Sequence, residues 1–140
     1  MLIDELKARS IQALKDKDNV TRGILSVVIT KYQLFEVEQR SQGKEVGDKD
    51  VLQIIQKTLK ELSDEKAGYV KVNNLDRVKN IEQQEEVLTN YLPKQLNEKE
   101  IRDIINSLED KSTPSVMKYF KANYPGQVDL SLVNTIIRSL

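Results

Sequence analysis

The chain has 140 residues and 16.1 kDa, which gives room for one compact domain or two small subdomains. Twenty-two Lys and Arg balance 22 Asp and Glu, so no overall field draws it to nucleic acid or anionic lipid, and a polyanion would have to meet a local patch. The absence of Cys and His excludes disulfide frameworks, thiolate zinc and iron–sulfur sites, and the serine–histidine and cysteine–histidine mechanisms.

A hydrophobic fraction of 39% against 31% charged residues is enough to fold, and five Gly with three Pro are too few for the closely spaced turns of a sandwich or barrel. The composition predicts an all-α chain. No apolar run approaches the roughly 20 residues of a membrane span. The opening Met1-Leu2-Ile3-Asp4-Glu5 turns acidic at once, unlike a signal peptide. The expectation is a cytoplasmic protein with no membrane partner.

In chain order, Leu2 to about Lys17 reads as an amphipathic helix, with Leu2, Ile3, Leu6, Ile11, Ala13 and Leu14 inside half of the helical wheel. Asp18 or Asn19 caps a longer helix from Val20 to about Gln42, whose first half is apolar nearly all round. That pattern suits burial on several sides or a dimer interface. After the Gly43–Gly47 loop, Asp48 or Asp50 opens a third helix carrying Val51, Leu52, Ile54, Ile55, Leu59 and Leu62, ending near Gly68. Tyr69-Val70-Lys71-Val72 looks strand-like but has no partner strand, so it is expected to be a connector. Asn73 or Asn74 caps a fourth helix through Val78, Ile81, Leu88 and Leu92.

Pro93 interrupts the helical pattern and is taken as the boundary between a four-helix N-terminal subdomain, residues 1–92, and a three-helix C-terminal one, residues 93–140. Asn97-Glu98-Lys99-Glu100 has the form of a capping box before Ile101, Ile104, Ile105 and Leu108. Thr113-Pro114 reads as an N-cap with proline at N1, before Val116, Met117 and Phe120. Asp129 or Ser131 caps a last helix with Leu132, Val133, Ile136, Ile137 and Leu140 on one side.

Two segments, Tyr91-Leu92-Pro93-Lys94-Gln95-Leu96 and Gly126-Gln127-Val128-Asp129-Leu130-Ser131-Leu132-Val133-Asn134, resemble the GatB/YqeY family, and the likeness extends over the whole chain. The resemblance implies two helical subdomains, the second a small three-helix unit. It also implies kinship with the tail of the B subunit of tRNA-dependent amidotransferase, a carbon–nitrogen ligase with glutamine as amide donor. In that enzyme the tail helps to hold tRNA, while amide chemistry occurs in domains this chain is too short to contain. Three positions depart from the family pattern: Ser26 stands where an arginine is common, and Pro114 and Leu130 stand where glycines are common.

The candidate nucleic-acid contacts lie beyond Pro93. Lys118 and Lys121 share a face of the sixth helix opposite Val116 and Phe120, and Lys94 sits in the junction. Ser131, Asn134 and Arg138 line the polar side of the last helix, able to touch phosphate or ribose. Solvated surface explains the same residues, and Tyr119 and Tyr124 suit either base stacking or a core. Glu36, Glu38, Glu82, Glu85 and Glu86 lack the histidines a di-iron bundle needs. The expectation is a non-catalytic accessory module without cofactor or metal, and the resemblance, more than the residues themselves, implies that it binds tRNA. The alternative is a module that docks on an amidotransferase or other protein subunit through apolar helix faces.

Overall fold

The computed structural model describes residues 1–140, which form seven α-helices and no strand. They divide into two compact units, Met1–Tyr91 and Leu92–Leu140. No helix is long and apolar enough to cross a membrane.

The first unit holds α1 (Leu2–Lys15), α2 (Asn19–Ser41), α3 (Asp48–Lys71) and α4 (Leu75–Thr89). The turns after α1 and α3 are three residues long and built the same way. Lys17 and Asn73 occupy the left-handed region at φ 59° and 56°, and the next residue's N–H closes on the preceding helix, Asp18 on the Ala13 carbonyl (2.9 Å) and Asn74 on the Tyr69 carbonyl (3.0 Å). Asp18 and Asn74 then cap the following helices, accepting from the Thr21 and Arg77 N–H groups. Such short connections make α1–α2 and α3–α4 antiparallel pairs. At the start of α3 the Asp50 carboxylate accepts the Gly47 N–H (2.8 Å), and Asp48 accepts the Leu2 N–H (2.9 Å), which joins the starts of α1 and α3.

The core of this unit comes from Ile3, Leu6 and Ala13 of α1, Ile24, Leu25, Val28 and Tyr32 of α2, Val51, Ile55 and Leu62 of α3, and Ile81 and Leu88 of α4. The two buried polar residues are satisfied. Thr21 Oγ1 donates to Asp18 (2.6 Å), and Thr58 Oγ1 donates to the Ile54 carbonyl (2.8 Å) while accepting from Lys31 Nζ (3.1 Å). Lys31 also pairs with Glu61 (2.7 Å) and Lys66 with Glu85 (2.8 Å), so ion pairs tie α2 to α3 and α3 to α4.

In the second unit, α5 (Glu98–Ser107), α6 (Thr113–Asn123) and α7 (Leu130–Arg138) enclose one core of Ile101, Ile105, Val116, Phe120, Val128, Val133 and Ile136. Asn97 and Glu100 form the reciprocal box at α5: Asn97 accepts the Glu100 N–H (2.8 Å) and Glu100 accepts the Asn97 N–H (3.2 Å).

Several local expectations are corrected. Tyr69 to Lys71 is no connector but the last turn of α3; the apolar residues there are tolerated in a helix end because the turn at Asn73 closes on Tyr69. Ile11 and Leu14 are exposed, because α1 packs along the line of Ile3, Leu6 and Ala13, and these two side chains lie to one side of it. The mid-section of α2 is packed on one side only, leaving Val27, Leu34 and Val37 in solvent. Helix α4 stops at Thr89, before Leu92 and Pro93, and α6 has Ser112 as N-cap, one residue earlier than the sequence suggested.

Candidate functional site

Proline at 93 has no backbone donor, and residues 93–97 lie outside any helix, so the segment entering α5 must find its hydrogen bonds elsewhere. It finds them on the turn between α6 and α7. Gln95 Nε2 donates to the Gly126 carbonyl (2.5 Å) and the Pro93 carbonyl (3.0 Å), and the Leu96 N–H donates to the Gln127 carbonyl (2.8 Å). Gly126 sits at φ 74°, a conformation that suits glycine, and the Gln127 N–H returns to the Tyr124 carbonyl (3.1 Å). Leu96 and Val128 seal the clasp against the core. The two segments that carry the family likeness are thus bonded to each other across 31 residues. Sequence reading missed Gln95 and Leu96 as the partners of Gly126 and Gln127, since no local period reports a contact between distant loops.

Lys94 is exposed on the outer side of this clasp, held between an anchored glutamine and a proline. Lys118 and Lys121 are exposed on α6, about 60° apart on the wheel and away from the buried Val116 and Phe120. On α7, Ser131 and Arg138 are exposed and Asn134 is half-buried at the edge of the same face, while Val133 and Ile136 point into the core. None of Lys94, Lys118, Lys121 and Arg138 forms an ion pair. Ser131 has a structural share in its helix end: its N–H donates to Asp129 (2.9 Å) and its carbonyl accepts from Thr135 Oγ1 (3.0 Å). The structure places these six residues in one unit, on α6, on α7 and in the clasp.

Asp110 and Asp129 hold backbone at the starts of α6 and α7, while Asp103 and Glu109 are exposed. Asp110 accepts the Ser112 N–H (2.9 Å) and the Ser115 hydroxyl (2.7 Å), and these hydrogen bonds bring its pKa down to about 2. It supplies the side-chain oxygen at the start of α6 that Ser112 itself does not. Arg102, by contrast, is occupied by Glu98 (2.9 Å) and the Ser139 hydroxyl (3.1 Å). Tyr119 and Tyr124 join Phe120 in a ring cluster, with centroids 5.7 to 6.2 Å apart, and both are half-buried. Of the glutamates singled out in the sequence, Glu36 meets Arg40 (3.4 Å) and Glu85 meets Lys66 (2.8 Å).

The positions that depart from the family pattern have plain local roles. Ser26 is exposed on α2, Pro114 lies in the first turn of α6 where its missing N–H costs nothing, and Leu130 begins α7 and packs on the core. What remains is a small unit presenting six exposed cations without acidic partners, Lys94, Lys118, Lys121 and Arg138 among them with Lys99 and Lys111, together with hydroxyl and amide groups. That set suits hydrogen bonding and charge pairing to phosphate and sugar oxygens.

The family model described as Yqey-like protein matches residues 3–140. No curated protein matches the chain.

Proposed function

Since the chain belongs to the YqeY-like family over nearly its whole length, we propose that it is a non-catalytic accessory module of tRNA-dependent amide transfer whose C-terminal unit binds tRNA. The observation that carries this reading is the contrast in charge use inside that unit: Lys94, Lys118, Lys121 and Arg138 are exposed and unpaired, while Asp110 and Asp129 are turned to helix starts. Unpaired cations on rigid helices bind phosphates without first breaking an ion pair. The lack of Cys and His, and of a Gly-x-x-x-x-Gly-Lys-Ser/Thr loop, fits a role in holding a substrate rather than in transforming it.

Binding through phosphates predicts steep salt dependence, with each lost contact lowering the magnitude of the log–log slope by about 1. Lys118→Glu combined with Lys121→Glu should weaken tRNA binding by the full chain while leaving its helicity and melting unchanged. Asn134→Ala should cost less, because it removes hydrogen bonds and no charge. Wild-type protein that binds no tRNA at low salt would overturn the reading.

A second reading, docking on an amidotransferase or another protein subunit, is favoured by a different observation. The α3–α4 turn exposes Val70, Val72 and Leu75 together, at 56%, 71% and 63% of their surface. It predicts the reverse pattern: charge reversals on α6 leave partner capture intact, and Val72→Asp abolishes it.

A further inference from the structure

Helix α2 buries Ile24, Leu25, Val28 and Tyr32 on one side and turns the other to solvent. Along the centre of that solvent side run Gly23, Val27, Thr30, Leu34, Val37 and Ser41, every one exposed and none charged. Their spacing is four, three, four, three, four, which keeps them within an arc of about 80° for five turns. This is the a/d spacing of a coiled-coil seam, with aliphatic side chains at three of its six positions, and nothing within the chain covers them: Val27, Leu34 and Val37 remain 43%, 69% and 70% exposed. The solvent side of α3, in the same unit, is by contrast charged, with Lys49, Lys57, Asp64 and Glu65. A heptad stripe free of charge, in a chain that is 31% charged, is a packing surface.

We propose that two copies of this chain associate through the α2 seam. The flanks identify the occupant. Arg22, Lys31, Glu38 and Arg40 border the stripe, and with Arg40 paired to Glu36 and Lys31 to Glu61 the flanks carry both signs of charge, so the surface offers no uniform field to nucleic acid or to a strongly charged peptide, and it does not repel its own copy. A stripe that fits itself makes an isologous contact, which closes at two copies and does not propagate. Its size sets the strength. Nineteen residues of helix span ~28 Å and cover on the order of 400 Å² per copy, about half of a standard interface, which makes the dimer weak and concentration-dependent. This inference is independent of tRNA binding, since it concerns the N-terminal unit alone.

Sedimentation equilibrium on the full chain between about 10 and 500 µM is the test. The wild type should move from monomer toward twice the monomer mass across that range. Leu34→Glu places two carboxylates in the seam and should raise the dissociation constant about 100-fold or more, keeping the chain monomeric throughout. Val37→Glu should act the same way, and both sites are so exposed in the monomer that helicity and melting should not change. Leu14→Glu, on the exposed side of α1, should leave association at the wild-type level. A wild type that stays monomeric at the highest concentration would overturn the proposal, as would Leu34→Glu and Val37→Glu chains that associate as the wild type does.

Discussion

The two units differ in whether ion pairs join their elements. In the N-terminal unit cations bridge elements: Lys31 joins α2 to Glu61 and Thr58 of α3, Lys66 joins α3 to Glu85 of α4, and Arg9 approaches Asp18 at 3.7 Å. In the C-terminal unit Arg102 is the one cation in an ion pair, and its carboxylate partner, Glu98, lies on its own helix. There the elements are held by seven buried apolar side chains and by the clasp of Gln95 and Leu96 on Gly126 and Gln127. The C-terminal unit thus joins its elements without ion pairs between them, whereas the N-terminal unit uses three such pairs and still leaves Lys7, Arg22, Lys49 and Lys57 among its unpaired cations.

The largest effect that can break this comparison is removal of the aromatic at the centre of the second core. Phe120 is fully buried against two tyrosines, and Phe120→Ala should cost ~3–5 kcal/mol. A unit of under 50 residues holds about that much stability in total. Hydrogen exchange should therefore show residues 92–140 unprotected while α1 to α4 keep their protection. Global loss of protection would mean that the two units fold as one.

Ion-pair removal should act in the other unit and more gently. Glu85→Gln should destabilise by about 1 kcal/mol, read from denaturant midpoints, because both partners are largely shielded yet still touch water. Glu85 holds the Lys66 pKa above its ordinary value through their hydrogen bond. A raised cation pKa stabilises the fold fully below the unfolded lysine value and loses that contribution as pH climbs through the folded one, so the difference between wild type and variant should shrink only in strong alkali.

Acid should weaken the start of α6 in the C-terminal unit. Because the folded pKa of Asp110 lies near 2, its contribution is complete above the ordinary carboxylate range and is lost as pH falls toward about 2. Asp110→Asn should flatten the acid limb of the α6 hydrogen-exchange profile and leave α3 and α4 unaffected.

The smallest effects are two backbone exchanges of opposite kind in the N-terminal unit. Gly68 lies inside α3 with open space where a Cβ would go, so Gly68→Ala should stabilise by ~0.5–1 kcal/mol. Lys17 holds a left-handed conformation without being glycine, so Lys17→Gly should stabilise by a similar ~0.5–1 kcal/mol. Thermal melts of the two variants check both signs.

What could be read from the chain beforehand follows the same division between local and distant. Caps at Asp18, Asn74, Asn97 and Asp129 are written within three residues of the groups they bond, and the core of the second unit follows from spacing in Ile101, Ile105, Val116, Phe120, Val133 and Ile136. Valines at 70 and 72 suggested extended chain, yet Asn73 closes the α3 turn just beyond Val70, and a preference for strand cannot act without a partner strand. The exposed Ile11 and Leu14 were hidden for another reason: a helical wheel shows which residues share a side but not where along it the neighbouring helix will lie. The candidate cations were visible as lysines and arginines, whereas their freedom from acidic partners depends on where Asp110, Glu98 and Asp129 turn. The Gln95 to Gly126 bond had no local signal at all.

The most direct test of the division of labour is a tRNA titration of the isotope-labelled full chain followed by amide chemical shifts at low salt. Shifts should concentrate at Lys94, along the Lys118 and Lys121 face of α6 and around Asn134 and Arg138 on α7, and should fade together as salt is raised. Shifts confined to α2, α3 or α4, with those C-terminal amides unmoved, would contradict the assignment of tRNA contact to the C-terminal unit.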